Sequence, residues 1–328
     1  MSINRWIPNM TDKRFLTAVL PVLLFCMAVR AEKAPTQLDV LGIAMLQPTL
    51  PGGRTWFSQW GNGRERKLAS GDRDPCDAEF IMRGDGQVCI DGRGIAAISG
   101  DCPRLYVYDE PRLKKWCNLE VTLYFRRIAE SKEELSYRAF AIGVRSEHQD
   151  AADKIIRGDG RLKAPSFGAG YYGKMLYDGR MVFMKELIHS SQYGYSVNKP
   201  KEGDRHFWKT PDNSMPSGIW IGMKLIVRNT PTSTVRMELF RDMTDGRNGG
   251  TWEKIVEYTD AGGWTNPGLT KERCEKATPP GFRVIAVDEI LLRPGTSVFI
   301  RNDGITQAEC KKFSVREIAP LSTDKEGI

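Results

Sequence analysis

Apolar and polar residues alternate with a period of two in several stretches of the chain, the pattern of strands that bury one face. The clearest stretch is 119–127, where Leu119, Val121, Leu123 and Phe125 are the apolar positions. Stretches of the same kind lie at 137–148, 219–229, 235–242, 297–302 and 312–318. Gly, Asp and Asn turns separate them, and almost no run has helical spacing. The pattern predicts an all-β sandwich.

Residues 171–196 contain two strand-like runs that meet at Asp178-Gly179, a dipeptide typical of tight hairpin turns. A two-residue turn would place Met175 opposite Val182. With that register, period-two alternation brings four polar residues onto one face of the hairpin. These residues are Tyr172, Lys174, Lys185 and His189.

The stretch at 137–148 has two different faces. Phe140, Ile142 and Val144 form its predicted core face. The opposite face carries small residues followed by Arg145 and Glu147. Small side chains leave room above a sheet, so this face is either the floor of a groove or an ordinary solvent face.

The first residues have the layout of a secretory signal. An apolar run at 15–29 follows Lys13 and Arg14, and Ala31 offers a small residue for cleavage. The run is shorter than the roughly 20 apolar residues that a membrane span needs, although an anchor is the alternative. We therefore expect a cleaved signal at 1–31, a secreted or periplasmic protein, and no stable membrane anchor.

The remaining 297 residues are expected to form one large β domain with an N-terminal cysteine-containing extension. Residues 32–115 are predicted to be an extended arm and a β-turn region packed on the main domain, with Trp56 and Trp60 as aromatic anchors. The sandwich is predicted at 116–320, followed by a polar tail at 321–328.

Charge and cysteine content narrow the classes of function. The formal net charge is +7, and loss of 1–31 removes four basic residues and one acidic residue, leaving a mildly basic protein. No Lys-Arg run or zinc-finger spacing is present, which argues against nucleic acid as a partner. Six cysteines remain, and in an oxidising compartment disulfides are expected, with the first four pairing among themselves. The wide cysteine spacing disfavours a metal site.

The order of elements between Trp116 and Ile318 resembles the concanavalin-A-like jelly roll of lectins, laminin-G-type modules, glucanases and several polysaccharide lyases. Arg-Ser-Glu at 145–147 is similar to the start of an R-T/S-E-L-R strand of jelly-roll alginate and glucuronan lyases, and Leu-Ile-His at 187–189 to their Q-I-H. The chain departs from those motifs at His148, Gln149 and Leu187, and it has no Y-F-K-x-G-x-Y string near its end.

The resemblance implies β-elimination on an acidic polysaccharide. Such a reaction needs a group that neutralises the uronate carboxylate, a base and an acid. Arg145 would bind the carboxylate, His189 would remove the proton, and Tyr195, or else Tyr193, would protonate the leaving oxygen. The substrate-binding candidates are Glu147, Lys185, Tyr193, Tyr172, Lys174 and Trp220.

Other interpretations stay open. Arg145 could pair with Glu147 or Glu186, and His148 and His206 are rivals of His189 as base. Tyrosines that stack on sugar rings suit a non-catalytic carbohydrate-binding or adhesion module equally well. A structural envelope protein without a glycan ligand is a third class. We expect a polysaccharide partner, acidic if the lyase interpretation holds.

No cofactor is expected from the sequence. The alternative is a Ca²⁺ ion held by oxygen-rich residues of one turn. Those residues are Asp242, Asp245 and Asn248, and turn formation alone also explains them.

Overall fold

The alternating stretches form strands of two facing antiparallel sheets in the computed structural model of the protein. The structure describes residues 37–109, 114–130, 138–146, 167–188, 195–198, 207–208, 210–211, 214–264, 266–278 and 283–322. At 167–168 and 195–198 only the backbone is described. The predicted signal at 1–31 lies outside these ranges.

Within the described residues, the strands in chain order are β1 (Thr55–Phe57), β2 (Glu65–Ala69), β3 (Arg73–Asp74), β4 (Asp77–Gly84), β5 (Gln87–Asp91), β6 (Ile95–Ser99), β7 (Pro103–Val107), β8 (Leu119–Ala129), β9 (Ala139–Ser146), β10 (Phe167–Leu176), β11 (Met181–Ile188), β12 (Tyr195–Asn198), β13 (Ile221–Asn229), β14 (Val235–Asp242), β15 (Glu253–Asp260), β16 (Ser297–Asp303) and β17 (Gln307–Glu317). A short helix, α1 (Lys271–Ala277), follows β15. No helix in this part of the chain is both long and apolar enough to cross a membrane.

Sheet A has the strand order β15-β14-β13-β8-β17-β6-β5-β2, and β1 also pairs with β17. Sheet B has the order β12-β11-β10-β9-β16-β7-β4-β3. The chain passes repeatedly from one sheet to the other, for example from β7 to β8 and from β8 to β9. Two antiparallel sheets linked by such crossings form a jelly-roll sandwich. The predicted fold class, an all-β jelly roll of the concanavalin-A-like kind, is confirmed.

The core lies between the two sheets and is filled by the apolar positions that alternation predicts. Leu119, Val121, Leu123 and Phe125 of β8 are all buried there, as are Phe140, Ile142 and Val144 of β9. The stretch predicted at 219–229 to bury one face was wrong at its start, because Ile219 lies before β13 begins and is 43% exposed. The alternating pattern begins one pair of residues before the first residue of β13 that pairs with β8.

Residues 55–107 contribute β1 to β7, which belong to both sheets. Trp56 and Trp60 are buried in the main core, where both rings contact Phe80 and Phe313. This region is therefore built into the sandwich through strand pairing, and it does not lie on the sandwich as an extended arm.

The hairpin of β10 and β11 has a different register from the predicted one. Met175 lies opposite Met181, and the loop between Leu176 and Arg180 contains three residues. Gly179 occupies this loop with a φ of 91°, a left-handed conformation that suits glycine. A shift of one residue exchanges the partners on each face. As a result, Lys185 lies opposite Tyr171 and on the core face of sheet B.

The expected disulfides are not formed. The cysteines at 76, 89, 102, 117, 274 and 310 are all free thiols. Cys274 and Cys310 are buried, and burial raises the pKa of each thiol.

Candidate functional site

The outer face of sheet B carries an aromatic row that crosses the strands. Neighbours in the sheet register, from β4 to β11, are Ile81, Tyr106, Phe299, Gly143, Tyr172 and Met184. The Tyr106 and Phe299 ring centroids are 4.6 Å apart, and those of Phe299 and Tyr172 are 5.5 Å apart. Apart from Gly143, these residues form one buried cluster together with Tyr108.

A second row runs beside the first and is basic. Its members in the sheet register, from β4 to β10, are Arg83, Arg104, Arg301, Ala141 and Lys174. We call these five residues the basic row. The row spans four gaps between neighbouring strands, about 19 Å at roughly 4.8 Å per gap. Like charges that lie directly opposite each other on antiparallel strands repel, so the row has an electrostatic cost.

Asp303 compensates one half of the basic row. Its carboxylate pairs with Lys174 Nζ at 3.2 Å and with Arg301 Nε at 2.8 Å. Burial raises the pKa of Asp303, but the charges of Arg301 and Lys174 lower it by more. The pKa of Asp303 therefore lies below its usual value. Burial lowers the pKa of Lys174, against the opposing effect of Asp303. This half of the row is a closed ion-pair cluster.

The other half of the basic row has no acidic partner among the described residues. Within the described residues, Arg83 and Arg104 form no ion pair, and the Nε atom of each is buried without a hydrogen-bond partner. Arg83 donates through Nη2 to Tyr108 Oη at 3.2 Å. Both arginines are half-buried, whereas Arg301 is 8% exposed. Together with Arg73, whose guanidinium lies over the Tyr108 ring, they form a positively charged edge on β3, β4 and β7.

Small residues of β9 make room for both rows. A Cβ atom added to Gly143 would lie 2.5 Å from the Phe299 ring, so the ring occupies the space that a side chain would take. Ala141 separates Arg301 from Lys174 in the same way. The space above β9 that the sequence indicated therefore exists, and side chains of the neighbouring strands fill it.

Two predicted site residues, Tyr172 and Lys174, lie on this face. Tyr172 donates its hydroxyl hydrogen bond to Glu186 of β11, and Arg301 lies over the Tyr172 ring at 5.3 Å. Tyr172 is 1% exposed and Lys174 is 5% exposed. The aromatic rings are thus not open for stacking on a sugar, and the accessible groups of this face are the arginines at its β3, β4 and β7 edge.

Arg145 points away from this face. A bulge in the pairing of β9 with β16 accompanies a φ of 53° at Arg145, and its guanidinium donates to Cys117 O at 2.8 Å and Leu291 O at 2.6 Å. The side chain is 1% exposed, and burial lowers its pKa. These contacts join the end of β9 to segments before β8 and before β16. A guanidinium enclosed by backbone carbonyls does not fit a substrate clamp.

Lys185 belongs to a buried network with Tyr171 and Asp260. Its Nζ lies 2.9 Å from Asp260 Oδ2, and Tyr171 Oη donates to the same oxygen at 2.6 Å. Leu291 N donates to Tyr171 Oη at 2.9 Å, which connects this network to Arg145 through the Leu291 backbone. Both Lys185 and Asp260 have completely buried side chains. Burial lowers the pKa of Lys185, against the effect of Asp260. The structure therefore brings Arg145 and Lys185 together in the interior.

Trp220 lies on the outer face of the other sheet. It precedes β13 of sheet A, where its half-buried ring is flanked by Arg126 at 4.7 Å and Lys311 at 4.3 Å. The basic row and Trp220 are therefore on opposite sides of the sandwich. Lys224 of β13 is on the same outer face but is buried, because Ala44 O and Glu120 bind its Nζ.

Several predicted site residues cannot be placed. Glu147, His189 and Tyr193 lie outside the described residues, as do the rivals His148 and His206. Tyr195 begins β12, and its backbone pairs with Glu186 at the edge of sheet B.

The turn proposed for Ca²⁺ uses its oxygens internally. Asp242 accepts hydrogen bonds from Thr244, Gly246, Thr251 and Tyr124. Asp245 pairs with Lys311 at 2.6 Å. Elsewhere in the described ranges, no three His, Cys, Asp or Glu side chains are arranged to hold a metal ion. The carboxylates of Asp242 and Asp245 are therefore already paired within the protein.

Sequence reasoning missed Arg83, Arg104, Arg301 and Asp303. Each lies at the outward position of a strand whose alternate residues are apolar, for example Arg104 between Pro103 and Leu105. That alternation was the available signal. The row itself depends on the pairing of β4, β7 and β16, which are far apart in the sequence, so it could not be recognised from any one stretch.

No protein-family model and no curated protein match the chain. Among solved structures, a protein with a galectin-like fold from Bacillus subtilis is 12% identical, with coverage of 79% of this chain and 100% of that one and a TM-score of 0.40. The Emp46p carbohydrate recognition domain is 9% identical, covering 77% and 94%, with a TM-score of 0.39. A legume lectin-like domain from Entamoeba histolytica is 10% identical, covering 77% and 97%, with a TM-score of 0.35. Likenesses this distant do not tell what this chain binds.

Proposed function

We propose that this protein is a non-catalytic, lectin-like module that binds an acidic polysaccharide at the Arg83 and Arg104 end of the basic row of sheet B. The observation that carries the proposal is the direct cross-strand alignment of Arg83, Arg104 and Arg301 on one outer face. Planar guanidinium groups bind carboxylate or sulfate oxygens in a bidentate way, which lysine cannot do.

The charge balance of the row favours an anionic ligand. Four cations lie on the row, and Asp303 pairs with only Arg301 and Lys174 among them. Arg83 and Arg104 keep hydrogen-bond donors without acceptors in the described chain. The half-buried guanidinium groups of both residues carry positive charge that no described carboxylate neutralises, and an anionic ligand would supply the missing negative charge.

The shape of the row favours an extended ligand. Its members follow each other at the spacing of neighbouring strands, and the accessible part lies at the β3, β4 and β7 edge. A chain with repeated negative groups can contact several of these side chains at once. Lectins and polysaccharide-acting enzymes share the jelly-roll fold. By analogy with that fold, we propose a polysaccharide and not another kind of polyanion as the ligand.

The lyase interpretation has less support. Arg145 and Lys185 are enclosed in the interior, where they bind backbone carbonyls and Asp260. Neither presents a charge to the outer face of sheet B. We therefore propose binding without bond cleavage.

The proposal is tested by isothermal titration of the full chain with oligogalacturonates and with neutral cello-oligosaccharides of equal length. We expect binding of the acidic series only, weakened by added salt because screening reduces exposed charge interactions. Arg83→Gln and Arg104→Gln should each lower the affinity by at least about tenfold, since a hydrogen bond to a charged group contributes about 1.5–3 kcal/mol and each 1.4 kcal/mol is a factor of ten.

Arg93→Gln is the matched control, because Arg93 lies in the turn after β5 with a side chain that is 84% exposed. It should leave the affinity unchanged. Equal affinity for neutral oligosaccharides, or full affinity of both row variants, would contradict the proposal. Release of an unsaturated uronate, seen by ultraviolet absorbance, would restore the lyase interpretation.

A further inference from the structure

A cavity of about 370 Å³ lies on the side of sheet A, away from the basic row. It opens between the segment at 39–44, the end of β1 and strand β17. Its lining includes Val40, Leu41, Phe57, Trp60, Asn62 and Lys312. Small-molecule sites in proteins have volumes of about 300–1,000 Å³ and combine apolar walls with a few polar groups. This cavity has both properties.

The wall formed by Val40 and Leu41 is held in place by buried contacts. Asp39 Oδ2 accepts from Arg316 Nη2 at 2.9 Å, and both side chains are 1% exposed. Asp39 Oδ1 accepts from Leu41 N at 2.9 Å and from Ile43 N at 2.8 Å. The cavity is therefore preformed, and a ligand would not have to order this segment on binding.

Lys312 supplies the charge of the cavity. Among the described lining residues it is the one with an ionisable side chain. Its ammonium group has no carboxylate partner in the described ranges and lies 5.8 Å from the Tyr124 ring centroid. Its neighbour Lys311, in contrast, pairs with Asp245 at 2.6 Å.

The backbone at Lys312 is unusual as well. Its φ of 54° is left-handed, and the pairing of β17 with β8 shifts register between Lys311 and Ser314. A lysine in this conformation is strained, and such strain is concentrated at sites with a function. The register shift in β17 therefore falls at the residue of that strand that lines the cavity.

The apolar lining is partly open to solvent. Val40 is 78% exposed at the rim, and the half-buried Phe57 lies below it. Trp60, which lines the cavity from the core side, has a buried Nε1 without a hydrogen-bond partner. Val40 and Lys312 both line the cavity, a combination that suits a ligand with one apolar part and one negative group.

We propose that this cavity binds a small monocarboxylate that carries an apolar ring, with the carboxylate on Lys312 and the ring against Phe57 and Val40. The site shares no residue with the basic row, so it does not depend on the proposed polysaccharide binding. The volume of the cavity limits the ligand to a small molecule. The ligand is an anion because Lys312, the charged residue of the described lining, has no carboxylate partner in the described ranges.

The test uses the full chain with benzoate and its neutral isostere benzamide, measured by saturation-transfer NMR and by titration. Benzoate should bind at least about tenfold more tightly than benzamide, because a hydrogen bond to a charged group is much stronger than a neutral one. Lys312→Gln should remove this preference. Lys311→Gln is the matched control and should retain it.

A second pair of variants changes an exposed residue, so folding is not at risk. Val40→Glu adds a negative charge at the rim and should weaken benzoate more than benzamide, whereas Val40→Gln should affect both ligands equally. Absence of benzoate binding, equal binding of the two ligands, or an unchanged preference in Lys312→Gln would overturn the proposal.

Discussion

Arg104 of β7 lies directly opposite Arg301 of β16, and both side chains are on the outer face of sheet B. Arg83 of β4 lies opposite Arg104 on its other side. Three guanidinium groups are thus aligned across neighbouring strands, although like charges in this position repel each other. The repulsion between the three guanidinium groups lowers the stability of the free protein, whereas the same charges favour the binding of an anionic ligand. Both effects can be measured.

Arg104→Gln should stabilise the free protein while it weakens the binding of acidic oligosaccharides. Removal of one like charge from the row relieves repulsion of about 0.2–1 kcal/mol. Urea denaturation with and without oligogalacturonate measures both effects in one series. A variant that is less stable in the free state would contradict this account, and Arg93→Gln serves again as the control.

Lys185→Ala should destabilise the protein by about 3–5 kcal/mol, because it leaves the Asp260 carboxylate buried without its ion-pair partner. Replacement of both residues, as Lys185→Met with Asp260→Leu, should recover part of this loss, since an apolar pair avoids the desolvation cost but leaves the buried Tyr171 hydroxyl without its acceptor. Denaturant unfolding of the two variants gives the comparison. A single variant that unfolds like the wild type would show that the pair contributes little.

The contribution of Asp303 should disappear in acid. Its pKa is lowered in the folded protein by Arg301 and Lys174. A carboxylate with a lowered pKa stabilises the fold fully above its unfolded value and loses that contribution as the pH falls through the folded pKa. The stability difference between wild type and Asp303→Asn should therefore be largest near neutral pH and shrink below about pH 4.

The same urea series on Asp178→Asn is the control for Asp303, because Asp178 forms a more exposed ion pair with Arg180 at 2.6 Å. Its difference from wild type should be small at every pH. A difference for Asp303→Asn that persists unchanged into acid would argue against the lowered pKa.

Gly143→Ala should destabilise the protein, since the new methyl group would lie 2.5 Å from the Phe299 ring. Overpacking of this kind costs about 1–3 kcal/mol. Phe299→Leu in the same chain should restore part of the loss by removing the ring edge. If Gly143→Ala alone is neutral in thermal unfolding, the Phe299 ring moves aside easily and the aromatic row is loosely packed.

The strands and their core faces could be predicted from alternation because a residue's face depends only on its neighbours along the chain. For β8 and β9 the prediction identified the buried residues Leu123 and Ile142 correctly. The hairpin at Asp178-Gly179 was also located, since its turn residues are local signals. Tyr172 and Lys174 were chosen from the same pattern and do lie on one outer face.

The amino-acid sequence by itself determined the all-β sandwich and, for β8 and β9, the side of the strand that is buried. Only the tertiary structure decided which strands are neighbours and in what register. A one-residue difference in the β10–β11 loop moved Lys185 from the face of Lys174 to the core, where Asp260 neutralises it. The basic row arises in the same way, because Arg83, Arg104 and Arg301 become adjacent only when β4, β7 and β16 pair. The alternation of residues along one strand indicates which side chains share a face, whereas the pairing of distant strands decides which side chains become neighbours. A site that consists of neighbours on different strands, such as the basic row, therefore depends on the tertiary structure.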